Sequence, residues 1–247
     1  MKTAHREIGS LHRLGLASLL VIAAPAMTMA QQTPLATVSG DEGFDRFGQV
    51  LALAGDVNAD GVDDYIVGAP EAGGGGSGRG KAWVFSGADH SVLHVFVGTT
   101  DQSELGAAVA GAGDVNGDGH ADLIVGEPYS SLGSAGRAYV YSGDDGTLLQ
   151  TLVGNVMGDR FGAAVAGAGD VNGDGFDDVA VGAPNLNTPA IGLEGRVAVF
   201  SGADGTLLHD VPLPQLNLAF GYSLDATPDR TGDGVPELIV GAPRWVG

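Results

Sequence analysis

An all-β array of four-stranded antiparallel units is the fold that three observations predict. The first is a recurring acidic hexapeptide: Asp56-Val-Asn-Ala-Asp-Gly61, Asp114-Val-Asn-Gly-Asp-Gly119, Asp170-Val-Asn-Gly-Asp-Gly175 and Asp229-Arg-Thr-Gly-Asp-Gly234. Successive first aspartates lie 58, 56 and 59 residues apart, which marks an array of like units rather than a domain with one site. The second is that short apolar or alternating segments, bounded by Gly, Pro and Asp, frame each copy as strands. The third is the content of 43 glycines, which opposes long helices because an interior glycine costs roughly 1 kcal/mol relative to alanine. A four-stranded meander at this period is the pattern of β-propeller blades. The fold class is therefore a β-propeller of four-stranded blades, here an incomplete ring of about four.

Taken in order, the elements begin with a leader over residues 1–30. Lys2, Arg6 and Arg13 charge its start, an apolar run covers 14–24, and Thr28, Met29 and Ala30 offer a small-residue cleavage site, the pattern of an export signal. The apolar run is too short to span a bilayer comfortably, so the mature chain is expected to carry no membrane span. Repeats fill 31–247, in units over about 43–98, 99–154, 155–213 and 214–247, the last incomplete.

The third unit shows the plan most clearly. Its first strand, following Phe161 and Gly162, runs into the acidic loop at Asp170; its second covers 178–184 and its third 196–202. A turn at Ala203, Asp204 and Gly205 leads to the fourth strand over 206–211. First segments are built from small residues, as in Ala107-Ala-Val-Ala-Gly111 and Ala163-Ala-Val-Ala-Gly167. Small side chains suit inner strands crowded around a channel, while Trp83, Phe85, Tyr139, Tyr141 and Phe200 supply bulk between blades.

The acidic loops carry the chemistry. In the first, Asp56, Asn58 and Asp60 stand at positions one, three and five, the Val62 carbonyl at seven and Asp64 at nine. The second repeats this with Asp114, Asn116, Asp118, His120 and Asp122, and the third with Asp170, Asn172, Asp174, Phe176 and Asp178. Oxygen donors at alternate positions, followed by a glycine that allows a sharp reversal, suit a hard cation, and calcium is the expected one. One ion per repeat gives up to four. The fourth loop offers Asp229, Thr231, Asp233, Val235 and Glu237; with a hydroxyl at position three and Pro236 stiffening the return, it is expected to bind least tightly. An EF-hand-type loop would need an acid at position twelve between helices, but Val67, Val125, Val181 and Val240 stand there in strand-forming surroundings. The competing reading is that the loops are Asx-rich turns whose carboxylates satisfy nearby backbone donors.

Phe47-Gly48 with Gly68-Ala-Pro70, Phe161-Gly162 with Gly182-Ala-Pro184, and Phe220-Gly221 with Gly241-Ala-Pro243 resemble the FG-GAP repeat of integrin alpha-chain propellers. The second unit departs, with Leu105-Gly106 and Gly126-Glu-Pro128. The resemblance covers residues 43–243. It implies calcium in the acidic loops at the blade edges on one face, and rings that usually close with seven repeats.

Composition narrows the partners. A formal net charge of −19 argues against nucleic acid and anionic lipid, which reward basic patches. With no cysteine, an exported chain cannot rely on disulfides, and bound cations are the available substitute. No nucleophile elbow stands in the chain, and the glycine-rich stretch over 73–80 lacks the Lys-Ser/Thr of a phosphate loop. Trp83, Trp245 and the tyrosines read as blade filling, and His90, His94 and His209 fall near outer hairpins.

The leading expectation is a non-enzymatic, exported module (extracellular, at the cell surface or periplasmic) that binds calcium and an extracellular protein or glycan in adhesion. The alternatives are the non-catalytic propeller portion of a longer secreted enzyme of lyase or phospholipase type, and a surface scaffold without a specific ligand. Residues 34–40 match the last strand of a repeat, a strand that could clasp a ring, although nothing suitable is expected beside it. The fourth unit ends after its second strand, so the chain reads as a fragment or truncated product whose unpaired edge strands would promote association.

Overall fold

Strand-forming segments separated by tight Gly and Asp turns produce antiparallel meanders, since such turns reverse the chain within a few residues. The computed structural model describes residues 16–21, 36–73, 78–129, 135–184, 195–212, 219–227 and 229–243. Three four-stranded sheets follow one another. The first comprises β3 (Val50–Gly55), β4 (Asp64–Ala69), β5 (Lys81–Phe85) and β6 (Val92–Val97); leading it are β1 (Leu16–Val21) and β2 (Ala36–Gly43). The second comprises β7 (Ala108–Gly113), β8 (Asp122–Glu127), β9 (Arg137–Tyr141) and β10 (Leu148–Val153). The third comprises β11 (Ala164–Gly169), β12 (Asp178–Ala183), β13 (Arg196–Phe200) and β14 (Leu207–Pro212). A two-stranded sheet of β15 (Ser223–Thr227) and β16 (Glu237–Gly241) completes the series. The molecule is all-β, in partial propeller blades.

The inner strands β3, β7, β11 and β15 lie side by side and line a concave channel of about 630 Å³. Their small residues have a steric cause. A Cβ on Gly111 would sit 2.9 Å from the Ala54 carbonyl oxygen, and one on Gly167 would sit 2.8 Å from that of Gly111. Only glycine lets neighbouring backbones approach this closely.

The FG and GAP motifs are the two halves of the joint between blades. Within each unit the FG glycine donates its amide to the GAP glycine: Gly48 to Gly68 at 3.1 Å, Gly106 to Gly126 at 3.0 Å, Gly162 to Gly182 at 3.0 Å and Gly221 to Gly241 at 3.1 Å. Across units, a Cβ on Gly68, Gly126 or Gly182 would overlap the carbonyl of Gly106, Gly162 or Gly221 of the next blade. The FG apolar side chain then plugs the inter-blade core. Leu105 joins Val57, Ile66 and Phe96 between the first two blades, and Phe161 joins Val115, Ile124 and Val181 between the next two. Full burial of a side chain of this size contributes roughly 1.5–3 kcal/mol. Leu105 therefore does the work of phenylalanine at its joint.

The other departure in the second unit has a local explanation. Glu127 takes the place of the GAP alanine and is fully buried; the Tyr139 hydroxyl donates to its Oε2 at 2.7 Å, and Arg137 lies 3.8 Å from the same oxygen. Bulk from third strands fills the blade interfaces as anticipated: Tyr141 stacks on Phe96 of the preceding blade with centroids 3.9 Å apart. The preceding blade's outer strand also reaches across, with His94 Nε2 2.6 Å from the Gly143 carbonyl and Gln150 Nε2 donating to Gly202.

At the start of the chain, β2 has the burial of an outer strand. Val38 is buried against Phe47, Val67 and Trp83, as Phe96 and Leu152 are in the later blades. The expectation that nothing suitable stands beside it is corrected: β1 pairs with it antiparallel, Val21 opposite Ala36 and Leu20 opposite Thr37. An open strand edge accepts an apolar segment within reach, and this segment is part of the apolar run over 14–24. At the other end Ile239 is 55% exposed, whereas the equivalent Ile66 and Ile124 are fully buried under the following blade. The cleavage site over 28–30, residues 74–77 of the glycine-rich stretch and Trp245 lie outside the described residues.

Candidate metal centre

The first three acidic loops are launched by the same irregularity. Pairing slips between Leu53 and Gly55, between Gly111 and Gly113, and between Gly167 and Gly169, so these first strands end on a bulge, whereas β15 pairs with β16 in unbroken register. Gly55, Gly113 and Gly169 adopt φ of 79°, 79° and 67° there, a conformation that glycine takes without a Cβ penalty.

Within the first three loops, the oxygens at positions one and three meet at the amide of position five. In the first, Asp56 Oδ1 and Asn58 Oδ1 both accept the Asp60 amide, at 2.9 and 3.0 Å. In the second, Asp114 and Asn116 share the Asp118 amide at 3.1 and 2.9 Å, and in the third Asp170 and Asn172 share that of Asp174 at 3.0 and 2.9 Å. The position-five carboxylate receives the amide of position seven: Val62 at 2.9 Å, His120 at 2.8 Å and Phe176 at 3.0 Å. The fourth loop keeps part of this frame. Asp229 accepts Gly232 and Gly234, Asp233 accepts Val235, and the Thr231 hydroxyl reaches Asp229 only at 3.5 Å.

The position-nine acids stand apart from the other three and have a structural task. Asp64, Asp122 and Asp178 are fully buried. Each accepts the amide of position two with one oxygen (Val57 2.8 Å, Val115 2.9 Å, Val171 2.8 Å). The other oxygen accepts the turn after the third strand, at Gly87, Gly143 and Gly202. Burial pushes the Asp122 carboxyl up to about 6, against the lowering effect of its two amide donors, and pushes Asp178 up in the same way. Glu237 reaches the same place with a longer side chain, accepting Arg230 at 2.9 Å and Thr231 at 3.0 Å.

Among the described residues no group of three or more His, Cys, Asp or Glu side chains is set to hold a metal ion as it stands. The carboxylates are turned toward backbone amides, so the Asx-turn reading and the cation reading engage the same atoms. The donor chemistry nonetheless fits a hard cation. Every candidate side-chain ligand offers oxygen, those at positions one and three share the position-five amide, and a carboxylate oxygen that accepts one amide keeps lone pairs for an ion.

Two sets of residues were not singled out by sequence reasoning. Asp45 and Asp159, two positions before Phe47 and Phe161, are buried and accept those residues' amides at 2.9 and 3.1 Å. The repeated D-x-F-G spelling was their signal. The position-eight residues Ala121 and Asp177 donate their amides to the preceding loop, to Asp56 at 3.0 Å and Asp114 at 3.1 Å. Contacts between loops leave no periodic mark in one chain.

Blades joined through paired glycines, each carrying one acidic loop, define a class of β-propeller repeat proteins. Residues 47–85, 105–141 and 161–200 match the FG-GAP repeat model. The chain carries FG-GAP repeats and is distantly similar to the N-terminal propeller region of integrin alpha chains. Integrin alpha-5 of Xenopus laevis is 33% identical over 229 residues, covering 85% of this chain and 21% of its own length. Integrin alpha-V of Gallus gallus is 32% identical, covering 84% and 21%, and integrin alpha-IIb of Homo sapiens is 33% identical, covering 83% and 21%. The chain thus spans about a fifth of the length of these relatives.

Proposed function

We propose that the chain is an exported, calcium-binding FG-GAP module that acts by binding an extracellular protein or glycan, as in adhesion, and not by catalysis. The observation that supports this best is the threefold recurrence of one donor frame, an Asp and an Asn oxygen on the position-five amide beside the position-five carboxylate. Calcium would be held by Asp56, Asn58, Asp60, the Val62 carbonyl and Asp64, by the matching residues of the second and third loops, and most weakly by the fourth. The ion would neutralise clustered carboxylates that amides alone satisfy in part. In a chain with no cysteine, it would lock the turns that join first to second strands. Similarity to integrin alpha chains supports a binding role, although fold likeness does not carry a specific ligand with it. Among the described residues no helix is long and apolar enough to cross a membrane; export rests on the leader pattern.

Calorimetric calcium titration tests this reading. Asp170→Ala is expected to remove one site and leave the others; a wild-type chain that takes up no calcium would overturn it. Glycan arrays and extracellular protein panels, probed in calcium and in chelator, test the partner class.

A further inference from the structure

We infer that Asp177, which is not among the expected ligands, is a positioning residue for the cation site of the preceding loop. The inference rests on the calcium reading above. Asp177 occupies position eight of the third loop, yet it grips the first ligand of the second. Its Oδ2 accepts the Asp114 amide at 2.9 Å, and its own amide donates to the Asp114 carbonyl at 3.1 Å. Asp114 is thereby fixed on both sides of its backbone while its carboxylate accepts Gly117 at 2.7 Å, Asp118 at 3.1 Å and Gly119 at 2.9 Å.

The clamp depends on the bulge glycine. A Cβ on Gly113 would lie 2.6 Å from Asp177 Cγ, so any other residue there would displace the carboxylate.

The same contact is graded along the chain, which identifies Asp177 as its strongest form. Between the first two loops only half of it exists: the Ala121 amide donates to Asp56 at 3.0 Å, and alanine has no carboxylate to return. The His120 ring adds a contact to the Val57 carbonyl at 2.8 Å. Between the third and fourth loops, Pro236 stands at position eight and packs over Gly169. Proline has no amide hydrogen to donate, so the series of linked loops ends at the third. Outer groups that orient a metal ligand are worth about 10–100-fold in affinity when removed.

The test is a calcium titration of the full chain followed by amide NMR. The Gly61, Gly119 and Gly175 amides each donate to the first aspartate of their own loop, at 2.8, 2.9 and 2.9 Å, and so report the loops separately. Asp177→Ala is expected to raise the calcium midpoint read at Gly119 about tenfold or more, while that at Gly175, in the loop to which Asp177 itself belongs, stays unchanged. Asp177→Asn keeps an acceptor oxygen and should retain most of the wild-type midpoint at Gly119. The inference is overturned if the Gly119 midpoint does not move in the alanine variant, if Gly175 moves as far as Gly119, or if asparagine is as damaging as alanine, which would make the effect one of net charge. A wild-type chain in which none of the three amides responds to calcium would defeat the calcium reading and this inference together.

Discussion

Asp122 Oδ1 accepts the Gly143 amide at 2.9 Å, joining the end of an acidic loop to the turn after the third strand of the same blade. Its other oxygen holds the Val115 amide at 2.9 Å. The last acid of the loop is thus a tie inside the blade as well as a candidate ligand. Asp122→Ala leaves two donors without their acceptor at a fully buried site. Each unsatisfied group costs about 1–3 kcal/mol, so the loss expected is roughly 2–6 kcal/mol. Asp118→Ala, on the exposed side of the loop, should cost far less. Denaturant unfolding in chelator separates the two, and equal losses would refute the tie.

Gly126→Ala tests the joint between blades. The added methyl would overlap the Gly162 carbonyl and come within 3.3 Å of Ala108 Cβ. Because the obstacle is backbone, the second and third blades must part, and a destabilisation of more than about 1 kcal/mol is expected. Thermal unfolding measures it; an unaltered melt would show that the blades are not packed through this glycine.

Tyr141 sets an alkaline limit. Burial, with smaller contributions from Tyr139 and Glu127, pushes its hydroxyl from an ordinary 10.0 up to about 12. A folded-state value above the unfolded one means that the protonated tyrosine supports the fold. That support is complete below pH 10 and is lost as pH rises through about 12. Tyr141→Phe keeps the stack on Phe96 and removes the ionising group, so it should blunt the loss of stability over that window. Alkaline denaturation followed by near-ultraviolet circular dichroism reads the difference, and identical profiles would contradict it.

Much of this was legible in the residues because the repeat displays each position several times over. The strands, the small inner segments and the loop frame all recur, so noise at one copy is corrected by the others. Leu105 and Glu127 departed from the pattern, and only packing explains why both are accepted: one fills the same inter-blade hole as phenylalanine, and the other finds Tyr139 and Arg137. The tying task of Asp64, Asp122 and Asp178 was hidden, because a carboxylate at position nine spells a candidate ligand as readily as a turn tie. The grip of Asp177 on Asp114 joins residues 63 positions apart, and no local spacing encodes it. Leu16–Val21 reads as a leader's apolar core and forms a strand against β2, since apolar residues serve either purpose.

A scanning-calorimetry melt of the chain in saturating calcium and in chelator reads whether calcium in the repeated loops stabilises the blades. A ligand that binds only the folded state at a hundred times its dissociation constant adds about 2.7 kcal/mol per site, which for a chain of this size raises the melting temperature by on the order of 5 °C or more. Such a rise, absent with magnesium at equal concentration, is the expected result. Superimposable melts in calcium and in chelator would contradict the account.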